Sequence, residues 1–141
     1  MRLAIELTSA PTAVAWGMDN RTCALRVVGK GAGLRMENRV PGGDVNPYLA
    51  LAAMLAGGLH GVENRWPLEP AFEGNAYADT QHPKVPTSLA EARDLFDQSV
   101  LARQVFGDDV VAHYVNMADV ELAAFNKSVT DWERIRGFER L

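Results

Sequence analysis

A change of pattern at residues 41–47 is the feature that most limits how this chain can fold. Three short apolar or β-branched segments, at 13–18, 22–28 and 34–40, precede it and predict strands. A Pro-Gly-Gly-Asp turn at 41–44 then ends the sheet, and Asn46 followed by Pro47 predicts a helix start. The chain is therefore predicted to be α+β, with antiparallel β-strands in a meander followed by a helical C-terminal half.

The predicted helical half contains three helices and one long connection. The helix after Asn46 has an apolar face with a four-residue step, and Gly57 and Gly58 on it suggest the close approach of another backbone. Residues 64–87 are rich in proline and predict a long ordered loop. Ser88 and Glu91 form a predicted capping box that starts a helix running to about residue 105, and a third helix follows Gly107. Its predicted apolar positions are Val111, Val115, Ala118, Leu122, Phe125 and Val129.

Composition narrows the class of protein. The 141 residues are 48% hydrophobic, which suits one ordinary domain, and the net charge of -4 disfavours nonspecific nucleic-acid binding. The sequence has no apolar run long enough to span a membrane. Its single cysteine, Cys23, is predicted to be a small buried residue in a reducing compartment. These features predict a cytoplasmic protein with neither membrane nor nucleic-acid partners.

The charged residues of the third strand are the strongest candidates for chemistry. Arg35, Glu37 and Arg39 alternate along the strand and share one face, because side chains two residues apart point the same way. Their spacing of roughly 6.5 to 7 Å favours contact with separate groups of one ligand over pairing among themselves. Arg21 and Arg26 could complete an anion cradle. The alternative is a solvated sheet face with weak ion pairs, and charge spacing alone leaves both interpretations open.

Other kinds of site have little support. The glycines at 29–33 lack the P-loop pattern and lead into a strand, so a tight turn is the better interpretation. The three histidines lack metal-ligand spacing. No serine nucleophile can be assembled, because Ser88 is predicted to be a helix cap and Ser99 is predicted to lie in the middle of a helix.

Three motifs in order resemble the glutamine synthetase family. They are N-R-x-x-x-x-R at residues 20–26, R-x-E-x-R at 35–39 and N-P-Y-L at 46–49. A weaker likeness continues at 86–92 and 129–133, so the resemblance covers the chain from about residue 11 to the end. It implies the C-terminal part of a glutamine synthetase-type catalytic domain.

The resemblance implies an ATP-dependent carboxylate-amine ligase that uses Mg²⁺ or Mn²⁺. In this family glutamate is activated as an acyl phosphate and then joined to ammonia or another amine, and the subunits form homo-oligomers. Arg21 and Arg26 would be catalytic, contacting ATP phosphates and the reacting carboxylate, and Arg35 would contact the nucleotide. Glu37 would be a metal ligand and Arg39 would hold glutamate. Lys30 is the candidate for a nucleotide-binding lysine that the family often has just before the R-x-E-x-R strand.

Two departures from the family pattern qualify that expectation. Residues 1–10 do not match the family pattern and form an atypical N-terminal segment. The resemblance therefore covers residues 11–141. The family's N-terminal domain and its other metal-site motifs have no counterpart. The chain is therefore expected to be a fragment that is inactive alone, with marginal stability or self-association. The alternatives are a noncatalytic remnant used as an interaction module and a structural helical protein.

Overall fold

The computed structural model describes residues 10–140, which divide at Pro86 and Thr87 into two compact units. The first unit contains the sheet and one helix, and the second contains four helices. The atypical segment predicted at 1–10 lies outside the described residues except for Ala10. Within residues 10–140, no helix combines the length and apolarity needed to cross a membrane. The combination of a small sheet with a helical C-terminal half confirms the predicted α+β class.

The sheet of the first unit has three strands, β1 (Trp16–Met18), β2 (Leu25–Val28) and β3 (Arg35–Asn38), in that spatial order. Strands β2 and β3 are antiparallel, as predicted, with Arg26 directly opposite Glu37. Strands β1 and β2 are parallel, so the predicted antiparallel meander is wrong for this pair. All three strands are shorter than the sequence pattern indicated.

The parallel pairing results from a compact loop at residues 19–24. The Asn20 side-chain oxygen accepts hydrogen bonds from the Thr22 backbone N–H (3.0 Å) and from the Thr22 hydroxyl (2.7 Å). Cys23, which is part of this loop, is fully buried, as predicted. The loop returns the chain to the start of β1, where the Leu25 N–H donates to the Ala15 carbonyl (3.1 Å). A simple hairpin would have returned the chain beside the end of β1 instead.

The long loop predicted at 64–87 is confirmed, and it packs against this sheet. The Trp16 indole N–H donates to the Glu69 carbonyl (2.8 Å), and the Asn20 side-chain amide donates to the Gly74 carbonyl (2.9 Å). A 3-10 turn at Ala76–Ala78 follows. Together these contacts close a small core that contains Ala15, Cys23 and Ala76, with Phe72 packed against it.

Helix α1 (Pro47–Glu63) begins as the sequence predicted. The Asn46 side chain accepts hydrogen bonds from the backbone N–H groups of Tyr48 (3.1 Å) and Leu49 (3.4 Å), and proline occupies the first turn. None of the 17 residues of α1 is buried by the described part of the chain. Nothing among the described residues approaches within 4 Å of a Cβ placed at Gly57 or Gly58, so the expected close backbone contact is not formed there. The exposed apolar side chains of α1 are Tyr48, Leu51, Leu55, Leu59 and Val62.

The second unit contains α2 (Leu89–Gln98), α3 (Val100–Phe106), α4 (Asp108–Lys127) and α5 (Asp131–Phe138). Ser88 caps α2 by accepting from the Glu91 N–H (3.2 Å), as predicted, while the Glu91 carboxylate accepts from the Thr87 N–H (2.8 Å). The single helix predicted up to residue 105 is wrong. Ser99 ends α2 and caps α3 by accepting from the Ala102 N–H (3.1 Å), because a serine side chain competes for backbone donors.

The second unit has its own core. Val111 is fully buried and Val115 nearly so, and they pack with Ala102, Phe96 and Phe106. Gly107 separates α3 from α4 with a φ of 84°, which confirms the predicted interruption. The predicted apolar face of α4 is therefore confirmed at its start, whereas Phe125 near its end is exposed, as is Val129, which lies just beyond the helix.

Candidate functional site

Arg26 lies at the centre of a charged cluster on one face of the sheet. Its Nη1 donates to Glu37 Oε2 across the β2–β3 pair (2.9 Å). Its Nε donates to Asp19 Oδ1 (2.9 Å), and its Nη2 also contacts this oxygen. The Arg26 side chain is only 12% exposed. Its guanidinium thus links the β1–β2 loop to β3.

Glu37 stands between two arginines. Besides the Arg26 contact, its Oε1 lies 3.5 Å from Arg35 Nη2. The hydrogen bond from Arg26 outweighs partial burial and lowers the pKa of Glu37, with further help from the charges of Arg26, Arg35 and Arg39. Ion pairing, the alternative that the charge spacing left open, is therefore observed here, because each carboxylate oxygen of Glu37 faces a guanidinium.

Arg21 is placed differently from Arg26. It is exposed in the 19–24 loop and has no side-chain hydrogen bond or ion pair with another described residue. With Asp19, Asn20 and the 71–74 segment of the long loop it lines an open cleft at the end of β1. Arg21 can therefore bind an anion without first breaking a contact. Its charge also helps to lower the pKa of Asp19, after the larger effect of the hydrogen bond from Arg26.

Arg39 and Lys30, the two remaining predicted site residues, differ in their relation to this cluster. Arg39 is partly buried just after β3, its N–H donates to the Ala24 carbonyl (2.9 Å), and its charge acts on Glu37. Lys30 is exposed before the 3-10 turn at Gly31–Gly33 and makes no ion pair with a described residue. The structure therefore brings Arg26, Arg35 and Glu37 into direct contact, and it shows no contact between Lys30 and them.

Sequence reasoning missed Asp19 as a member of the site. Asp19 has a φ of 49°, a left-handed conformation that aspartate tolerates better than most residues. Its N–H donates to the Val27 carbonyl (2.8 Å), which holds it beside β2. The Asp-Asn pair at the end of β1 is the one local signal in the sequence that marks this position.

The described residues fit a metal ion only in part. Glu37 offers one carboxylate, the kind of ligand that Mg²⁺ and Mn²⁺ accept. Within residues 10–140 no group of three or more His, Cys, Asp or Glu side chains could hold a metal ion. Glu37 could therefore supply one ligand, and the ion would compete with Arg26 and Arg35 for its oxygens.

A protein family and several known proteins are similar to this chain in sequence. Residues 2–136 match the family described as the glutamine synthetase catalytic domain. The chain is 65% identical over 133 residues to the gamma-glutamylethanolamide synthetase of Streptomyces coelicolor, covering 94% of this chain and 28% of that protein. It is 41% identical over 124 residues to a glutamate–isopropylamine ligase of a Pseudomonas species, covering 86% of this chain and 27% of that protein.

A solved structure is similar along nearly the whole chain. It is described as a GmaS/ADP complex and superposes with a TM-score of 0.83 at 26% identity, covering 99% of this chain and 33% of that one. The chain thus spans between a quarter and a third of the length of these relatives. The family match begins at residue 2, nine residues before the start that the motifs indicated. On this evidence the chain belongs to the glutamine synthetase catalytic-domain family.

Proposed function

We propose that the chain forms part of the active site of an ATP-dependent carboxylate-amine ligase. In the reaction inferred from the family, the terminal phosphoryl group of ATP moves to the glutamate side-chain carboxylate and ADP leaves. An amine then attacks the acyl phosphate carbon, and phosphate leaves as the amide bond forms. The observation that supports this most is the sheet face on which Arg26, Arg35 and Glu37 are in direct contact, at the positions of the family motifs.

The accessibility of each cation suggests its role. Arg21 is exposed, and Arg35 is 60% exposed with long contacts of 3.5 Å to Glu37 and to the Gly33 carbonyl, so both can reach phosphate oxygens. Arg26 is held on two sides and offers a fixed positive charge to the phosphates and the reacting carboxylate. A guanidinium stabilises the negative charge that develops during phosphoryl transfer.

The other assignments stay proposals of the same kind. Glu37 would be one of the ligands of an Mg²⁺ or Mn²⁺ ion, whose chemistry is to neutralise phosphate charge. Arg39 would bind a carboxylate of glutamate. Lys30 would contact the nucleotide from the exposed turn before β3, apart from the charged cluster. We further infer a homo-oligomeric, cytoplasmic enzyme whose catalytic domain includes residues 11–141.

The relative at 65% identity supports an organic amine as the second substrate, since it is named for ethanolamide synthesis. Two others are divided: a type-1 glutamine synthetase of Dictyostelium discoideum is 42% identical to this chain, and the glutamate–isopropylamine ligase is 41% identical. Because the relative at 65% is much more similar than either, we propose a small organic amine over ammonia.

Calorimetric titration with ATP and Mg²⁺ tests the nucleotide role. Arg21→Ala should weaken ATP binding about tenfold, since a hydrogen bond to a charged group contributes about 1.5 to 3 kcal/mol. Arg134→Ala is the control, because Arg134 is an exposed arginine of the second unit whose contact with Asp131 is long, at 3.8 Å. A wild-type chain that binds no ATP, or an equal loss in the control, would favour the noncatalytic interaction module.

The purified 141-residue chain should not turn over. With ATP, Mg²⁺, glutamate and ethanolamine, it should release no phosphate above background, because its described residues include no group of three or more His, Cys, Asp or Glu side chains that could hold a metal ion. A complete relative assayed alongside serves as the positive control. Amine-dependent phosphate release by the chain alone would show that it holds a complete site.

A further inference from the structure

The two carboxylates that hold Arg26 do so unequally. Asp19 contacts two guanidinium nitrogens, Nε and Nη2, whereas Glu37 contacts only Nη1. Glu37 also divides its charge between Arg26 and Arg35. Asp19 has no second cation in contact, and its backbone is tied to β2 through the Val27 carbonyl. The Asp19 contact is therefore the more complete of the two.

From this asymmetry we infer that Asp19 is a positioning residue that keeps Arg26 in place while Glu37 is the partner that Arg26 can release. The role of Asp19 in catalysis rests on the proposed function. When Glu37 turns toward a ligand, the Nη1 edge of Arg26 becomes free, and the two contacts with Asp19 keep the guanidinium oriented. Arg26 would then face the ligand already ordered, which spares the entropy of fixing a long side chain at that moment.

The left-handed conformation of Asp19 makes a clean variant available. Asparagine tolerates a φ of 49° and keeps one acceptor oxygen, so Asp19→Asn removes the charge with little change in the loop. Glu37→Gln makes the equivalent change on the other side of Arg26. Asp119→Asn is the control, because Asp119 binds the same two guanidinium nitrogens, Nε and Nη2, of Arg93 in the second unit, there through both of its carboxylate oxygens (2.9 and 3.0 Å).

The measurement is the hydrogen-exchange rate of the Arg26 Nε–H, observed by NMR in the full 141-residue chain without ligand. Asp19→Asn should accelerate this exchange about tenfold, because the single oxygen that accepts from both Nε and Nη2 loses its negative charge and its hydrogen bonds are no longer charge-assisted on the acceptor side. Glu37→Gln should change it about twofold at most. Asp119→Asn should accelerate the Arg93 Nε–H and leave Arg26 unchanged.

Two results would overturn the inference. One is a larger acceleration in Glu37→Gln than in Asp19→Asn. The other is no change in Asp19→Asn while Arg93 responds in the control. Asp19→Gly, which also tolerates the positive φ, repeats the test without any acceptor should the asparagine variant not fold. Because no nucleotide is present, failure of ATP binding in the calorimetric test would not affect this result, and the reverse also holds.

Discussion

Helices α1 and α4 have similar lengths and very different surroundings. The 20 residues of α4 include the buried Val111 and Val115, and an ion pair joins its Asp119 to Arg93 of α2. The 17 residues of α1 include none that the described part of the chain buries, and Leu55 at its centre is 69% exposed. The second unit thus covers its main helix, whereas the described part of the first unit does not.

The sequences of the two helices explain this contrast. Helix α4 carries charged side chains along one side, as a helix at the surface of a small core should. Helix α1 has no Asp, Glu, Lys or Arg from Pro47 to Val62. A helix that is apolar on all sides is typical of the interior of a larger protein. Helix α1 therefore has the composition of a core helix, although the described part of the chain buries none of its residues.

The largest expected effect is on the core of the second unit. Val111→Ala should reduce the free energy of unfolding by about 2 kcal/mol, because it removes buried methyl groups and leaves a cavity. Leu55→Ala on α1 is the matched variant and should change it by less than about 0.5 kcal/mol. Urea denaturation of both variants measures this. Equal losses would mean that α1 is as well packed as α4.

The uncovered face of α1 should also drive self-association. Leu55→Lys should weaken association of the chain about tenfold, since burying a leucine contributes about 1.5 to 3 kcal/mol. Val120→Lys on the exposed side of α4 is the control. Sedimentation velocity over a concentration series gives the association constants. A monomeric wild-type chain would contradict this expectation.

Replacing a glycine by alanine should change the stability of the chain in opposite directions at Gly107 and at Gly58. Gly107, with a φ of 84°, lies between α3 and α4, and Gly107→Ala should cost about 1 kcal/mol because alanine is strained there. Gly58 lies within α1 with free space around it, and Gly58→Ala should stabilise the helix by up to about 1 kcal/mol. Thermal melts followed by circular dichroism would show shifts in opposite directions. Destabilisation by Gly58→Ala would instead indicate a close neighbour at α1.

Acid should act on the first unit through Asp79. Burial raises the pKa of this carboxyl, but hydrogen bonds from the N–H groups of His82 and Gln81 and from the His82 side chain outweigh it and lower the pKa to about 2. Because the folded pKa lies below the ordinary value of 3.8, this stabilisation is present above pH 3.8 and is lost as the pH falls toward 2. Asp79→Asn should flatten that part of the stability profile. Identical profiles for the wild type and Asp79→Asn would contradict the assignment.

Local signals in the sequence were sufficient for some elements and not for others. The caps at Asn46 and Ser88 were predictable because each depends on residues within three positions. The parallel β1–β2 pair was not, since the 19–24 loop that produces it is held partly by the Asn20 side chain donating to the Gly74 carbonyl, 54 residues away. Ser99 was misassigned because the helical period continues across it.

In the candidate site, too, local sequence signals could not reveal contacts between different strands. The motifs identified Arg26, Arg35 and Glu37, and the structure places them together. Distances along one strand could not reveal that Arg26 lies opposite Glu37 on the neighbouring strand, where cross-strand neighbours are closer than residues two apart. Asp19 was missed because its role depends on that same tertiary pairing.

The contrast between α1 and α4 is tested most directly by backbone hydrogen exchange of the 141-residue chain, measured residue by residue at a concentration where the chain is monomeric. Protection reports the free energy of local opening, which ranges from near zero to the full unfolding free energy. The amides around Val115 should be protected at least roughly 100-fold more than those around Leu55. Equal protection of the two helices would contradict the account of α1 as a core helix that lacks its covering.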